Sequence, residues 1–83
     1  MKHITFLTKN VCSVQIDFDL TDTLQITNCH FTGGCSGNLL AISKLIENHD
    51  ALSIASILKG NHCGSNSTSC ADQLAIAIIE NIE

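Results

Sequence analysis

Residues 13–20 read SVQIDFDL, and they set the fold class because polar and apolar side chains alternate along the whole stretch. Such an alternation predicts a β-strand with one buried face and one solvated face, as in antiparallel sheets. The predicted buried face consists of Val14, Ile16, Phe18 and Leu20, and the predicted solvated face consists of Ser13, Gln15, Asp17 and Asp19. A compact turn at residues 21–23 and a partner strand over residues 24–31 close a hairpin, and residues 3–8 predict a further short strand.

After Gly34 the periodicity becomes helical. Helices are predicted over residues 38–49, 51–58 and 70–82, and Gly60 stands where the second should stop. The predicted inward-facing residues are Leu39, Ile42, Leu45 and Ile46 in the first helix, Leu52, Ala55, Ile57 and Leu58 in the second, and Leu74, Ile78, Ile79 and Ile82 in the third. Strands followed by helices predict an α+β fold, in which a small antiparallel three-stranded sheet has the helices packed on one face.

Length and composition exclude several classes of protein. The 83 residues suffice for one small core, and we interpret residues 1–83 as a single domain. Four basic and eight acidic residues give a formal charge of −4, so no basic stripe exists to neutralise nucleic-acid phosphates. No apolar run has the roughly 18 residues of a membrane span, and the start lacks a signal-peptide core. The expected location is cytoplasmic, where thiols stay reduced.

Four of the five cysteines lie next to predicted strands and helices, on loops rich in glycine, serine or asparagine. Cys12 comes just before the alternating strand, Cys35 follows a pair of glycines, Cys63 lies in the loop before the last helix, and Cys70 opens that helix. Thiols at loops and helix N-termini are the ones that ionise, bind metal or exchange disulfides. If the last helix packs antiparallel to the sheet layer, all four loops meet at one end of the molecule.

Four converging thiolates form a tetrahedral set that suits Zn²⁺ or an iron–sulfur cluster. With Zn²⁺ about 2.3 Å from each sulfur, the sulfurs of Cys12, Cys35, Cys63 and Cys70 are expected roughly 3.5–4 Å apart. Two other interpretations stay open. The thiols could carry out redox or persulfide chemistry without a metal, or they could be inert and pack as small apolar side chains.

The other candidate residues have simpler interpretations. Cys29 lies in the middle of a predicted strand, away from any loop, and is predicted to pack in the interior. His62 adjoins a cysteine and could bind metal, although a surface histidine on a polar loop is the simpler interpretation. The carboxylates of Asp17, Asp19 and Asp22 could attract a hard cation, but a solvated strand face explains them with fewer assumptions.

The start of the last helix carries a capping signal. Thr68 or Ser69 is the expected N-cap, and Asp72 follows Ser69 at the spacing of a capping box. Cys70 therefore falls on the cap or the first turn, where the helix dipole favours a thiolate.

Several short stretches along the chain carry a family resemblance. They are Val11-Cys12-Ser13, FTGGCSGNL at residues 31–39, ISKL at residues 42–45, Cys63-Gly64, and TSCADQLA at residues 68–75. Together they resemble the small four-cysteine TSCPD-domain family over nearly the whole chain. Ala71 stands where the name-giving motif has proline, which removes a residue that presets the first helical φ but leaves the thiol. By this resemblance the family's shared cysteines correspond to Cys12, Cys35, Cys63 and Cys70.

The resemblance also implies a biological setting. A related module forms the C-terminus of adenosylcobalamin-dependent ribonucleoside-diphosphate reductases, which implies a link to deoxyribonucleotide and DNA synthesis. Radical reduction of a nucleotide needs a large barrel and a cobalamin site, and 83 residues cannot house them. The chain is therefore not expected to be an oxidoreductase by itself.

A more distant likeness is to iron–sulfur scaffold proteins of the NifU/IscU type, and the predicted fold is NifU/IscU-like in its order of elements. Cys12, Cys35 and Cys70 fall on the three corresponding cysteine positions. The scaffold's assisting aspartate is absent, because Val14 is there. Cys63 would supply the fourth ligand, which favours a closed, structural site over an open, transferring one.

The leading hypothesis is a small metal-binding module with zinc or an iron–sulfur cluster on the four cysteines. It would act with a protein partner, either a ribonucleotide reductase or iron–sulfur machinery, as a monomer or a homodimer. One alternative is a thiol redox or sulfur-carrier protein that supports a ribonucleoside-diphosphate reductase. The other is a plain interaction module without catalysis.

Overall fold

The computed structural model of the chain describes residues 1–34, 36–62 and 67–82. Its elements are β1 (Lys2–Leu7), β2 (Ser13–Leu20), β3 (Gln25–Gly33), α1 (Ser36–Ile46), β4 (His49–Asp50), α2 (Ala51–Leu58) and α3 (Cys70–Ile82). The predicted α+β class is confirmed, and the bounds of β2, α2 and α3 are those predicted from the sequence. Among the described residues, no helix is long and apolar enough to cross a membrane.

In the described part of the chain, the strands form one four-stranded antiparallel sheet in the order β1-β2-β3-β4. The predicted three-stranded sheet is therefore wrong by one strand. The added strand, β4, is only two residues long, and His49 in it pairs with Ile26. The predicted first helix ran to His49, but α1 ends at Ile46. Asn48, with a φ of 64°, turns the chain, and its N–H donates to the Ile26 carbonyl at 2.8 Å.

A β-bulge at Val14 corrects the predicted faces of β2. Ser13 pairs with Gly33 and Gln15 pairs with Thr32, so β2 advances by two residues where β3 advances by one. Val14 is the extra residue. The extra residue reverses the alternation at the start of the strand, because side chains alternate with a period of two. Ser13, predicted to be solvated, is 1% exposed, and Val14, predicted to be buried, is 61% exposed. From residue 16 onward the predicted buried face is correct.

One apolar core lies between the sheet and the helices. The sheet contributes Ile4, Ile16, Phe18, Leu20, Ile26 and Phe31, and the helices contribute Leu39, Ile46, Ala51, Ile54, Ala55, Cys70, Leu74, Ala75, Ala77 and Ile78. α3 is buried over most of its length and packs against α2. Its first residue, Cys70, belongs to this core, so the N-terminus of α3 is anchored by packing.

Some helical residues predicted to face inward are exposed. They are Leu45, Leu52, Ile57 and Ile79. In α2, with the sequence ALSIASIL, apolar residues occur on all sides of a short helix, so the period alone does not select a face. The face that packs contains Ala51, Ile54 and Ala55.

The second face of the sheet is polar, as predicted. Asp17 accepts hydrogen bonds from Thr5 Oγ1 at 2.7 Å and from Gln15 Nε2 at 2.9 Å. His3 Nδ1 lies 2.6 Å from an Asp19 carboxylate oxygen. The hydrogen bonds from Gln15 and Thr5 hold the pKa of Asp17 below its ordinary value. Asp17 and Asp19 are partly exposed on β2, which agrees with the strand-face interpretation, whereas Asp22 lies beyond β2, in the turn before β3.

Candidate functional site

The sulfur atoms of Cys12 and Cys70 lie 3.7 Å apart, although 58 positions separate the two residues in sequence. Cys12 is exposed on the loop between β1 and β2, and Cys70 is the first residue of α3 and is buried. Their separation falls within the roughly 3.5–4 Å expected for two sulfur ligands of one tetrahedral ion. The structure thus brings two of the four predicted ligands together.

The other two predicted ligands, Cys35 and Cys63, lie outside the described residues. The residue before Cys35 is Gly34, which has a φ of 79° and lies close to the Cys12 sulfur, the Ser13 backbone and the Leu39 side chain. A Cβ at this position would lie 3.1 Å from Cys12 Sγ, and only glycine combines this backbone conformation with so close an approach.

A cavity of about 410 Å³ adjoins both sulfurs. Its walls include the apolar side chains of Val11, Leu39 and Ile42 and the polar residues Asn61 and His62. His62 comes immediately before the second cysteine outside the described residues, and it is exposed. Sulfur atoms, an apolar wall and a few polar groups therefore share one concave surface, which is the usual form of a binding site.

No three His, Cys, Asp or Glu side chains form a group that could hold a metal ion within residues 1–34, 36–62 and 67–82. A complete site requires ligands beyond the Cys12–Cys70 pair. The four-cysteine site therefore stays a prediction.

Polar side chains at the start of α3 hold this end of the domain together. Ser69 is the N-cap, because its Oγ accepts a hydrogen bond from the Asp72 N–H at 3.1 Å. The Asp72 carboxylate reaches away from the cap: it accepts from the Gly60 N–H and from Thr68 Oγ1, each at 2.6 Å. Burial is the largest single effect and by itself would raise the pKa of Asp72, but the hydrogen bonds from Thr68 and Gly60, together with the nearby charge of Lys59, hold the pKa below its ordinary value.

Gln73 joins two of the cysteine-bearing loops. Its Oε1 accepts from the Lys9 N–H at 3.1 Å, in the loop that carries Cys12. Its Nε2 donates to Thr68 Oγ1 at 3.0 Å, at the end of the loop that follows α2. Ser69 Oγ also donates to the carbonyl of Asn61 in that second loop. The predicted capping box had identified Asp72 only as a cap residue, and Gln73 was not predicted at all.

Ser13 is the second residue that sequence reasoning missed. Its Oγ donates a hydrogen bond to Cys70 Sγ at 3.2 Å. The strict alternation of β2 had assigned Ser13 to the solvated face, and no signal in that pattern indicates the bulge. The Gly33-Gly34 pair opposite the start of β2 was the only local hint of irregular backbone.

Cys29 lies in a different environment from the sulfur pair. It is half-buried against the apolar core and, with Leu39, Leu40 and Ser43, borders a smaller cavity of about 210 Å³. Burial raises the pKa of the Cys29 thiol to about 12. A thiol that stays protonated at neutral pH is a poor nucleophile and metal ligand. Cys29 thus packs against the core as predicted, although it is half-buried rather than fully interior.

These features define a small α+β domain with a pair of cysteine sulfurs at the start of its last helix. The family model of the TSCPD domain matches residues 1–82, and the chain belongs to that family. Comparison with the curated proteins and with the solved structures found no match. The resemblance to the TSCPD family is confirmed, whereas the likeness to NifU/IscU-type scaffolds has no support from these comparisons.

Proposed function

We propose that this TSCPD-domain chain is a metal-binding module that holds one Zn²⁺, or an iron–sulfur cluster, on Cys12, Cys35, Cys63 and Cys70. The observation that carries the proposal is the 3.7 Å separation between the sulfurs of Cys12 and Cys70. A tetrahedron of sulfurs with Zn–S bonds of about 2.3 Å has an edge of about 3.8 Å. This pair of sulfurs therefore fits two ligands of one ion.

Chain connectivity supports Cys35 and Cys63 as the remaining ligands. Gly34 packs against Cys12 Sγ, and His62 lines the cavity beside both sulfurs. Consecutive Cα atoms are only about 3.8 Å apart, which limits how far a residue can lie from its neighbour in sequence. The hydrogen bonds of Asp72 and Gln73 support the same arrangement, since they tie the loops on either side of the site to α3.

The sulfur separation favours a single ion over a four-iron cluster. In a [4Fe–4S] cluster each cysteine binds a different iron atom, so its ligand sulfurs lie further apart than two ligands of one metal ion. A [2Fe–2S] cluster places two cysteines on each iron and fits the pair as Zn²⁺ does. Four thiolates around Zn²⁺ leave no open position, so such a site contributes to folding rather than to catalysis.

The sulfur pair also favours a second candidate function, thiol redox chemistry. To form a disulfide, with an S–S bond of about 2.05 Å, the two sulfurs would have to come about 1.7 Å closer. The exposure of Cys12 gives a redox partner access to the pair. In this alternative the chain passes electrons or sulfur to a ribonucleoside-diphosphate reductase. An interaction module with inert thiols is the third candidate, and no contact of the described residues favours it specifically.

The proposed partner is a protein of deoxyribonucleotide synthesis. The support for this choice is the resemblance between this family and the C-terminal module of adenosylcobalamin-dependent ribonucleoside-diphosphate reductases. The formal charge of −4 argues against nucleic acid as the partner.

Metal analysis of anaerobically purified protein, combined with its visible spectrum, tests the proposed function. We expect about one zinc per chain and no visible absorption, whereas absorption near 400 nm (a rough guide) would assign a cluster instead. Cys35→Ser and Cys63→Ser should lose the metal, and the control Cys29→Ser should keep it. Metal-free wild-type protein with four reactive thiols would favour the redox alternative.

A further inference from the structure

We propose that Ser13 is the positioning residue of this site: its hydroxyl binds the Cys70 sulfur and fixes the side of that sulfur that faces the metal ion. The inference rests on the proposed function, because it requires Cys70 to be a ligand. Ser13 Oγ lies 3.2 Å from Cys70 Sγ. Ser13 is 1% exposed, so bulk water does not compete for this donor.

The backbone around Ser13 is built to turn this hydroxyl inward. In a regular strand Ser13 would share the solvated face with Gln15, and the bulge at Val14 reverses it. Thr8 holds the bulge from the end of β1. Its Oγ1 donates to the Ser13 carbonyl at 2.6 Å, and its N–H donates to the Val14 carbonyl at 3.3 Å. Thr8 thus hydrogen-bonds both the bulged residue and the residue before it.

The hydrogen bond gains strength when the sulfur is charged. A neutral thiol is a weak acceptor, whereas hydrogen bonds to ionised groups are roughly twice as strong as neutral ones. Cysteine binds metal as the thiolate, so metal binding strengthens the contact from Ser13. Groups that hydrogen-bond to metal ligands typically change metal affinity by about 10- to 100-fold. Ser13 should therefore contribute to metal affinity and to the electronic properties of the Cys70–metal bond.

An anaerobic Co²⁺ titration of the full chain tests this role. Ser13→Ala removes one oxygen atom and keeps the backbone. We expect it to weaken Co²⁺ and Zn²⁺ binding about tenfold. The sulfur-to-cobalt charge-transfer band should move to longer wavelength, because the thiolate no longer shares its charge with a hydroxyl. The matched control is Thr27→Val, which removes a buried hydroxyl from β3 and should change neither quantity.

The outcomes separate this inference from the proposed function. Wild-type protein that does not bind Co²⁺ would overturn both. If the wild type binds Co²⁺ normally and Ser13→Ala has the same charge-transfer band, the Ser13 inference alone is overturned. This holds even if Ser13→Ala binds more weakly, because lost packing lowers affinity without moving the band. If Ser13→Ala does not fold, the isosteric pair Ser13→Thr and Ser13→Val replaces it. A longer-wavelength band in the valine variant alone supports the inference, and identical bands overturn it.

Discussion

The start of α3 and the middle of β3 each carry a cysteine near buried hydroxyl groups, but only the hydroxyl groups at the start of α3 are all hydrogen-bonded. Around Cys70, the hydroxyls of Ser13, Thr68 and Ser69 all make hydrogen bonds. In β3, Thr27 Oγ1 is buried and has no hydrogen-bond partner within the described residues. Two positions further along, Cys29 packs against the apolar core.

This difference indicates that the buried hydroxyl groups are organised into a hydrogen-bond network at the start of α3 and not in β3. A buried polar group without a partner costs free energy, so the paired hydroxyls around Cys70 support the fold whereas the unpaired Thr27 hydroxyl destabilises it. The hydrogen-bonded groups around Cys70 connect α3 to the loops before β2 and after α2. We therefore expect changes at the α3 start to affect both stability and metal binding, and changes in β3 to affect stability without affecting metal binding.

The largest expected effect comes from removing the metal. Treatment with a strong chelator, or Cys70→Ser, should lower the free energy of unfolding by about 4 kcal/mol or more. This is the stabilisation that a folded protein gains from a ligand present at about a thousand times its Kd. The measurement is urea unfolding followed by circular dichroism. Cys29→Ser is the matched control and should cost only about 1–2 kcal/mol. Equal losses at the two cysteines, with no response to chelator, would remove the distinction between the two regions.

The next largest effect is expected at Asp72, whose carboxylate accepts hydrogen bonds from Gly60 and Thr68. Asp72→Asn should cost about 2–3 kcal/mol, because the amide replaces one acceptor oxygen with a donor in a buried position. The control is Asp50→Asn at the exposed N-cap of α2, where asparagine caps about as well as aspartate. Similar losses in the two variants would show that the buried carboxylate contributes no more than an ordinary cap.

Asp72 also predicts how stability depends on pH. Its pKa is lowered in the folded state, so its contribution is complete at neutral pH and is lost as the pH falls through that lowered pKa. Asparagine does not titrate in this range. Asp72→Asn should therefore lose less stability than the wild type between neutral and strongly acidic pH, in the same urea assay at a series of pH values. A parallel loss in both proteins would contradict the role given to this carboxylate.

The smallest expected effect is a gain in stability in β3. Thr27→Val replaces the unpaired hydroxyl with a methyl group of the same shape and should stabilise the protein by about 1 kcal/mol, since the desolvation penalty is removed. Thermal unfolding detects a change of this size. Thr68→Val is the comparison, and it should destabilise because Thr68 Oγ1 is hydrogen-bonded to Asp72 and Gln73. Destabilisation by Thr27→Val would show that its hydroxyl has a function in the fold.

The sequence predicted regular elements well and irregular backbone poorly. The alternation over residues 13–20 and the helical periods at residues 51–58 and 70–82 gave the correct element bounds, because burial of one face requires such patterns. The two-residue strand β4 is too short to have a period. The bulge at Val14 depends on pairing with β3 and on Thr8, which a local pattern does not contain.

The same reason limits what could be predicted of the candidate site. The positions of Cys12 and Cys70 at element ends indicated that they converge, and their sulfurs do lie together. Ser13 was missed because its orientation follows from the bulge. Gln73 was missed because its two partners, Lys9 and Thr68, are brought to it only by the tertiary fold.

The central claim is that Cys12, Cys35, Cys63 and Cys70 bind one metal ion together. X-ray absorption at the zinc edge tests it most directly, with protein purified anaerobically and with Cys29→Ser as the control. We expect a single shell of four sulfurs at about 2.3 Å in both proteins. A shell that contains two or fewer sulfurs, with nitrogen or oxygen in the remaining positions, would contradict the claim, and so would the absence of zinc and iron from the purified protein.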